Sequence, residues 1–115
     1  MISGIHAIVF SPAAEEVRDF FRDTLGWPNV DAGEGWLVFA MPPAELAVHP
    51  GAESRQELYL MCDDLDATVV ALEAKGVRFA QPISDQAWGR LTAIALPGGT
   101  EIALYQPTHP RPVSP

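Results

Sequence analysis

Along the first half of the chain the spacing of hydrophobic positions changes from strand-like to helix-like and back. Ile5-His6-Ala7-Ile8-Val9-Phe10 is a short, apolar, β-prone run, and Ser11-Pro12 after it sets a capping residue before a proline at the first helical position. From there Val17, Phe20, Phe21, Thr24 and Leu25 recur at three- and four-residue spacing, while Glu15, Glu16, Arg18, Asp19, Arg22 and Asp23 take the other face. A helix is expected, with Gly26 as its stop. Turn-rich residues around Asp31 to Gly35 lead into Trp36-Leu37-Val38-Phe39-Ala40, a strand, and Pro42-Pro43 turns the chain into another, Glu45 to His49.

After the linker-like stretch Pro50 to Arg55 the plan restarts. Glu57 to Met61 reads as a strand, Asp63-Asp64 offers helix caps, Leu65, Val69 and Leu72 form a helical stripe, and Gly76 ends it. Val77 to Ala80, Leu91 to Leu96 and Glu101 to Gln106 complete a second set of strands. The tail from Pro107 is proline-rich and extended, expected to be packed or frayed rather than functional.

The two halves align residue by residue, at a shift of about fifty positions, a period too long for a solenoid unit. His6 falls on Glu57, Ile8 on Tyr59, Phe10 on Met61 and Phe21 on Leu72, and Gly26 matches Gly76 once a single residue is dropped. Ala44 to Pro50 matches Thr100 to Pro107 with one further gap, pairing Glu45 with Glu101, Ala47 with Ala103 and His49 with Tyr105. Two diverged copies sharing one core follow: a single α+β domain over 1–115, its modules spanning about 1–50 and 55–107, with a tail at 108–115.

Composition narrows the function classes. At 115 residues the chain can bury about two-thirds of its unfolded surface in one core. Its 48% hydrophobic and 19% charged residues are ordinary for a globular protein, and no apolar run is long enough to suggest a membrane span. A net charge of −8 disfavours phosphate backbones and anionic lipid, so neither nucleic acid nor membrane is an expected partner. The start has no secretory pattern, and the lone Cys62 rules out an intrachain disulfide framework, which fits a reducing, cytoplasmic compartment.

Strand alternation sorts the chemistry. His6, Ile8 and Phe10 share one face of the first strand, and Glu57, Tyr59 and Met61 the equivalent face of its counterpart. Glu45/Ala47/His49 and Glu101/Ala103/Tyr105 carry the polar faces of the closing strands, while Leu46/Val48, Ile102/Leu104 and Leu58/Leu60/Cys62 turn toward the helices. Ionisable groups therefore gather on the helix-free face, where a sheet can curl into a cup. Phe10, Trp36, Tyr59, Met61, Trp88 and Tyr105 are available for its apolar wall, although core or interface packing is the commoner use of such side chains. His6 is a candidate for a hydrogen-bonded strand histidine or for a ligand. Glu57 calls for a partner such as His6, a metal or a cationic ligand, or else faces solvent. Loops 28–35 and 82–90 are expected to form the rim. Cys62, on the helix side, is expected to be inert, and His49 exposed.

These segments together resemble the vicinal oxygen chelate superfamily, which includes glyoxalase I, bleomycin-resistance proteins and extradiol dioxygenases. The resemblance rests on His6 ahead of Phe20-Phe21-Arg22-Asp23-Thr24-Leu25-Gly26, Asp63 to Thr68, Ala74-Lys75-Gly76-Val77, and Leu96-Pro97-Gly98-Gly99-Thr100 to Pro107. It implies paired β-α-β-β-β modules forming an open, cup-shaped mixed sheet with helices on the outer face, and a homodimer. It also implies metal ligands on the first and last strand of each module. His6 and Glu57 occupy the first-strand positions, whereas Ala47 and Ala103 stand where glutamates are expected. A shifted register would offer Glu45 and Glu101, and such a set would suit a divalent ion such as Mn²⁺, Fe²⁺, Ni²⁺ or Zn²⁺.

Two functions follow. One is a small-molecule binder without a complete four-ligand metal site, its cup lined by Ile8, Phe10, Ala47, Tyr59, Met61, Ala103 and Tyr105. The other is a metal-dependent lyase, isomerase or dioxygenase that chelates vicinal oxygens and uses His6 and Glu57 catalytically. The ligand count favours the first.

Overall fold

The computed structural model describes Ser3, residues 6–50 and residues 52–112. Ser11 Oγ accepts the Ala13 N–H at 3.0 Å and donates to Pro97 O at 3.4 Å, so the chain enters the first helix tied to a turn of the other half. Helix α1 proper runs Ala14–Asp19, with Glu15 and Glu16 in its first turn, where the positive end of the helix dipole favours them. It continues as a π-helical turn, Phe20–Thr24. The wider turn puts two consecutive residues, Phe20 and Phe21, inside the core, their rings edge-on at 5.3 Å. Its exit is held by Leu25 N–H to Phe20 O and Trp27 N–H to Phe21 O, both 3.0 Å.

A short antiparallel hairpin follows, β1 (Asn29–Asp31) with β2 (Leu37–Phe39). Asp31 closes its loop by accepting the Gly33 N–H at 2.7 Å. The second half builds β3 (Tyr59–Met61), α2 (Leu65–Glu73), β4 (Arg78–Phe79), β5 (Ser84–Gln86), β6 (Gly89–Ala95) and β7 (Glu101–Pro107). The strands form a five-stranded mixed sheet of order β3-β7-β6-β4, with β5 also on β6; β3 runs parallel to β7 and the other pairs are antiparallel.

Helix α2 starts where two side chains satisfy its free amides: Asp64 Oδ1 accepts from Ala67 N–H at 3.1 Å, and Gln106 Oε1 of β7 accepts from Leu65 N–H at 2.9 Å. The second bond fixes the helix on the sheet. Leu65 and Leu72 then meet Ile94, Leu96, Ile102 and Leu104 from the strands and Val17, Phe20 and Phe21 from the first half. Both helical segments thus share one core on one side of the sheet. Each large side chain so buried contributes about 1.5–3 kcal/mol. Thr92, the polar residue of this core, donates to Gln81 O at 2.8 Å.

The α+β class with helices on one face of a mixed sheet is as read from the sequence. Several local expectations are corrected. Residues 6–10 and 45–49 form no ladder, and Ile5 lies outside the described residues. Leu46 and Val48 do not back onto the helices: they are 86% and 88% exposed. Pro42, Pro43 and Pro50 remove amide donors around the closing segment, and the second half fills its sheet with its own strands. Conversely, β1 and β5 lie in stretches read as rim loops. The tail is held against the molecule by side-chain bonds as far as Arg111.

Candidate functional site

The register of the three long-range strands builds a face. Tyr59 pairs with Ala103 and Ala103 with Ala93; one row along, Met61 pairs with Tyr105 and Tyr105 with Leu91. These side chains are on the face opposite the core, because the intervening Leu60, Leu104 and Thr92 point to the helices. The floor of the open face is therefore small, with Ala93, Ala95 and Ala103 at its centre. Its wall is aromatic: Tyr59, Trp88 and Tyr105 contact one another edge-to-face, with centroids 5.3 to 6.2 Å apart. Trp88 is carried there by the β5–β6 turn, where Gly89 has no room for a side chain: an added Cβ would sit 2.5 Å from Gln106 O.

Beside this face, at the start of β3 and β7, an open groove of about 380 Å³ is lined by Ile8, Phe10, Glu57, Tyr59, Glu101 and Ala103, among others. That is within the size range of small-molecule sites. Tyr59 of the wall and Ala103 of the floor also line the groove, so groove and face make one continuous surface.

Of the residues singled out in the sequence, these six meet in the groove, with Met61 and Tyr105 a row away. Ala47 is exposed on the closing segment, and His6 is exposed with no side-chain hydrogen bond among the described residues. His6 and Glu57 do not pair. Instead the Glu57 carboxylate pairs with Arg55; the neighbouring Tyr59 hydroxyl, then the Arg55 charge, holds it below the usual carboxylate range. Glu57 in turn, helped by burial, raises the Tyr59 phenol. Tyr105 is raised mainly by burial and next by the nearby Glu45 charge, with Arg111 opposing.

Glu45 is not free to coordinate. Arg111 Nε donates to its Oε1 at 2.6 Å, with the two side chains 13% and 21% exposed for Glu45 and Arg111. Among the described residues no three His, Cys, Asp or Glu side chains converge. The donor set within one chain, a solvent-facing His6, a Glu57 paired with Arg55, a Glu45 held by Arg111 and an exposed Glu101, does not fit a divalent ion. Cys62 is on the helix side as expected, its thiol donating to Tyr105 O at 3.6 Å and raised in pKa by burial. His49 is exposed.

A family model described as "Glyoxalase/Bleomycin resistance protein/Dioxygenase superfamily" matches residues 5–104. The chain belongs to that superfamily. Solved structures of superfamily proteins share its fold. It is 28% identical to TnmS3, an antibiotic binding protein from Streptomyces sp. CB03234, covering 93% of this chain and 98% of that one with a TM-score of 0.67. It is 28% identical to a glyoxalase/bleomycin resistance protein from the same source, covering 85% and 95% with a TM-score of 0.58. A lactoylglutathione lyase from Agrobacterium tumefaciens, at 16% identity, 91% and 94% coverage and a TM-score of 0.65, shares the fold. No curated protein sequence matches.

Sequence reasoning missed some residues on and beside this face. Ala93 and Ala95 carry no signal beyond that of strand residues, although the register makes them floor. His109 and Arg111 lie in a tail whose prolines mask any periodic signal.

Proposed function

We propose that this superfamily member binds a small, ring-bearing molecule on the helix-free face of its sheet without a complete four-ligand metal site. The observation that carries the reading is the aromatic triad Tyr59/Trp88/Tyr105 beside an alanine floor, in a place where the alternative needs converging carboxylates. Flat apolar faces beside small side chains favour a planar group, and the net charge of −8 favours a basic one. The likeness to an antibiotic binding protein supports the same reading.

Calorimetric titration with bleomycin, a basic ring-bearing antibiotic, is the test. Saturable binding is expected, weakened at least about tenfold, roughly 1.4 kcal/mol, by Trp88→Ala or Tyr59→Ala. Turnover of the methylglyoxal–glutathione hemithioacetal that needs an added divalent ion and disappears in His6→Ala would establish the metal-dependent reading instead.

The same proposal includes a homodimer and a cytoplasmic location, the latter resting on the lone cysteine. Phe10, Leu46 and Val48 are more than four-fifths exposed, and all belong to segments with a strand pattern that pair with no strand among the described residues. The radius of gyration, 15.0 Å, exceeds the about 13 Å of a compact chain this long. Among the described residues no helix is long and apolar enough to cross a membrane. Sedimentation velocity at micromolar concentration should give twice the chain mass, and Val48→Glu should shift it toward one; a wild-type monomer would contradict the dimer.

A further inference from the structure

Past β7 the chain does not leave the molecule. Thr108 N–H donates to Trp88 O at 3.0 Å, returning the tail to the turn that carries one ring of the aromatic wall. The His109 ring then lies 6.0 Å from that of Tyr105, tilted 32°, with Nε2 3.1 Å from Tyr105 Oη and Nδ1 2.7 Å from Pro110 O. Two residues on, Arg111 makes its 2.6 Å bond to Glu45 of the first half.

The chemistry of these contacts fixes a proton. A carbonyl oxygen only accepts, so in the neutral ring Nδ1 carries the hydrogen and Nε2 is left as a lone pair. The Tyr105 hydroxyl must then donate to Nε2, which leaves the Tyr105 oxygen with its lone pairs as an acceptor. Arg111 is the anchor that makes this arrangement hold. It joins a tail with few other bonds to an acid that is itself mostly buried, and a partly buried, well-formed pair of this kind resists opening.

We propose that residues 108–111 are a strap in which Arg111 and His109 are positioning residues: they hold the Tyr105 hydroxyl as an acceptor for a hydrogen-bond donor of the bound molecule, such as an amide or ammonium N–H. This rests on the cup-binding reading, and goes beyond it by naming the polar complement the ligand presents beside its ring. It also gives Glu45 a role other than metal ligation.

Two measurements on the full chain separate the strap from the binding reading. The first needs no ligand: long-range ¹H–¹⁵N spectra under alkaline conditions should show His109 in the Nδ1–H tautomer in the wild type and in Arg111→Lys, and averaged tautomers in Arg111→Ala. A wild-type His109 in the other tautomer, or a tautomer indifferent to Arg111→Ala, would overturn the strap. The second uses bleomycin as the probe. Arg111→Ala and His109→Ala should each weaken binding at least fivefold, with Arg111→Lys recovering most of it; equal affinity in wild type and both alanine variants would overturn the positioning role. Absence of bleomycin binding in the wild type would overturn the ligand role together with the cup-binding reading, while the tautomer would still report the strap.

Discussion

Leu65→Ala should lower the unfolding free energy by about 2–5 kcal/mol. Leu65 is fully buried, stands at the first position of α2, and packs into the cluster where residues of both helical segments meet those of β6 and β7. Truncation leaves a void inside a cluster built from both helical segments and the sheet, which can relax only partly around it. A loss of that size is a large part of the roughly 5–15 kcal/mol that domains possess. Urea titration should show a lower midpoint at an unchanged slope. Val70→Ala on the exposed side of the same helix is the control, expected to stay within about 0.5 kcal/mol. Equal midpoints for the two variants would mean that the helix does not close this core.

The second large effect is expected at Gly98→Ala, in the turn between β6 and β7. Gly98 has φ +87°, and a Cβ there would meet Ser11 Oγ at 2.7 Å and Ala13 Cβ at 3.0 Å. The left-handed backbone costs a non-glycine residue about 1–2 kcal/mol. Crowding against the entry of α1 adds about 1–3 kcal/mol, since the serine hydroxyl can rotate away but Ala13 cannot. Gly99→Ala separates the two causes: its φ is +88°, yet its added Cβ meets nothing within 4 Å. Gly98→Ala should therefore melt clearly below Gly99→Ala, and the gap measures how firmly this turn is seated on the first half. Indistinguishable melting curves would show that α1 yields freely there.

The second half was legible because its signals are local and redundant. Asp64 caps α2, Leu65, Val69 and Leu72 mark its inner stripe, and two strands long enough to alternate sort Ile102 and Leu104 from Ala103 and Tyr105. The first half was less legible for a physical reason. Residues 6–10 and 45–49 carry strand patterns, but a strand needs an edge to bond, and pattern alone does not supply one. Strands of three residues such as β1 and β5 are too short to alternate visibly. The site divides the same way. Tyr59, Ala103 and Tyr105 follow from alternation, whereas the contact of Glu45 with Arg111 joins positions 66 apart and is invisible to any local rule.

The π-helical turn at Phe20–Thr24 accounts for the residue dropped between Phe21 and Gly26 when one half is laid on the other. After α2, Val77 N–H bonds Leu72 O, spanning five residues; after α1 the equivalent bond, Trp27 N–H to Phe21 O, spans six. Phe21 and Leu72 are the aligned core residues, and Gly26 and Gly76 the aligned stops. The extra residue is thus stored as a bulge inside the helix, a usual way for a helix to absorb an insertion without rotating the chain beyond it. The longer span is accommodated while Phe20 and Phe21 both stay in the shared interior.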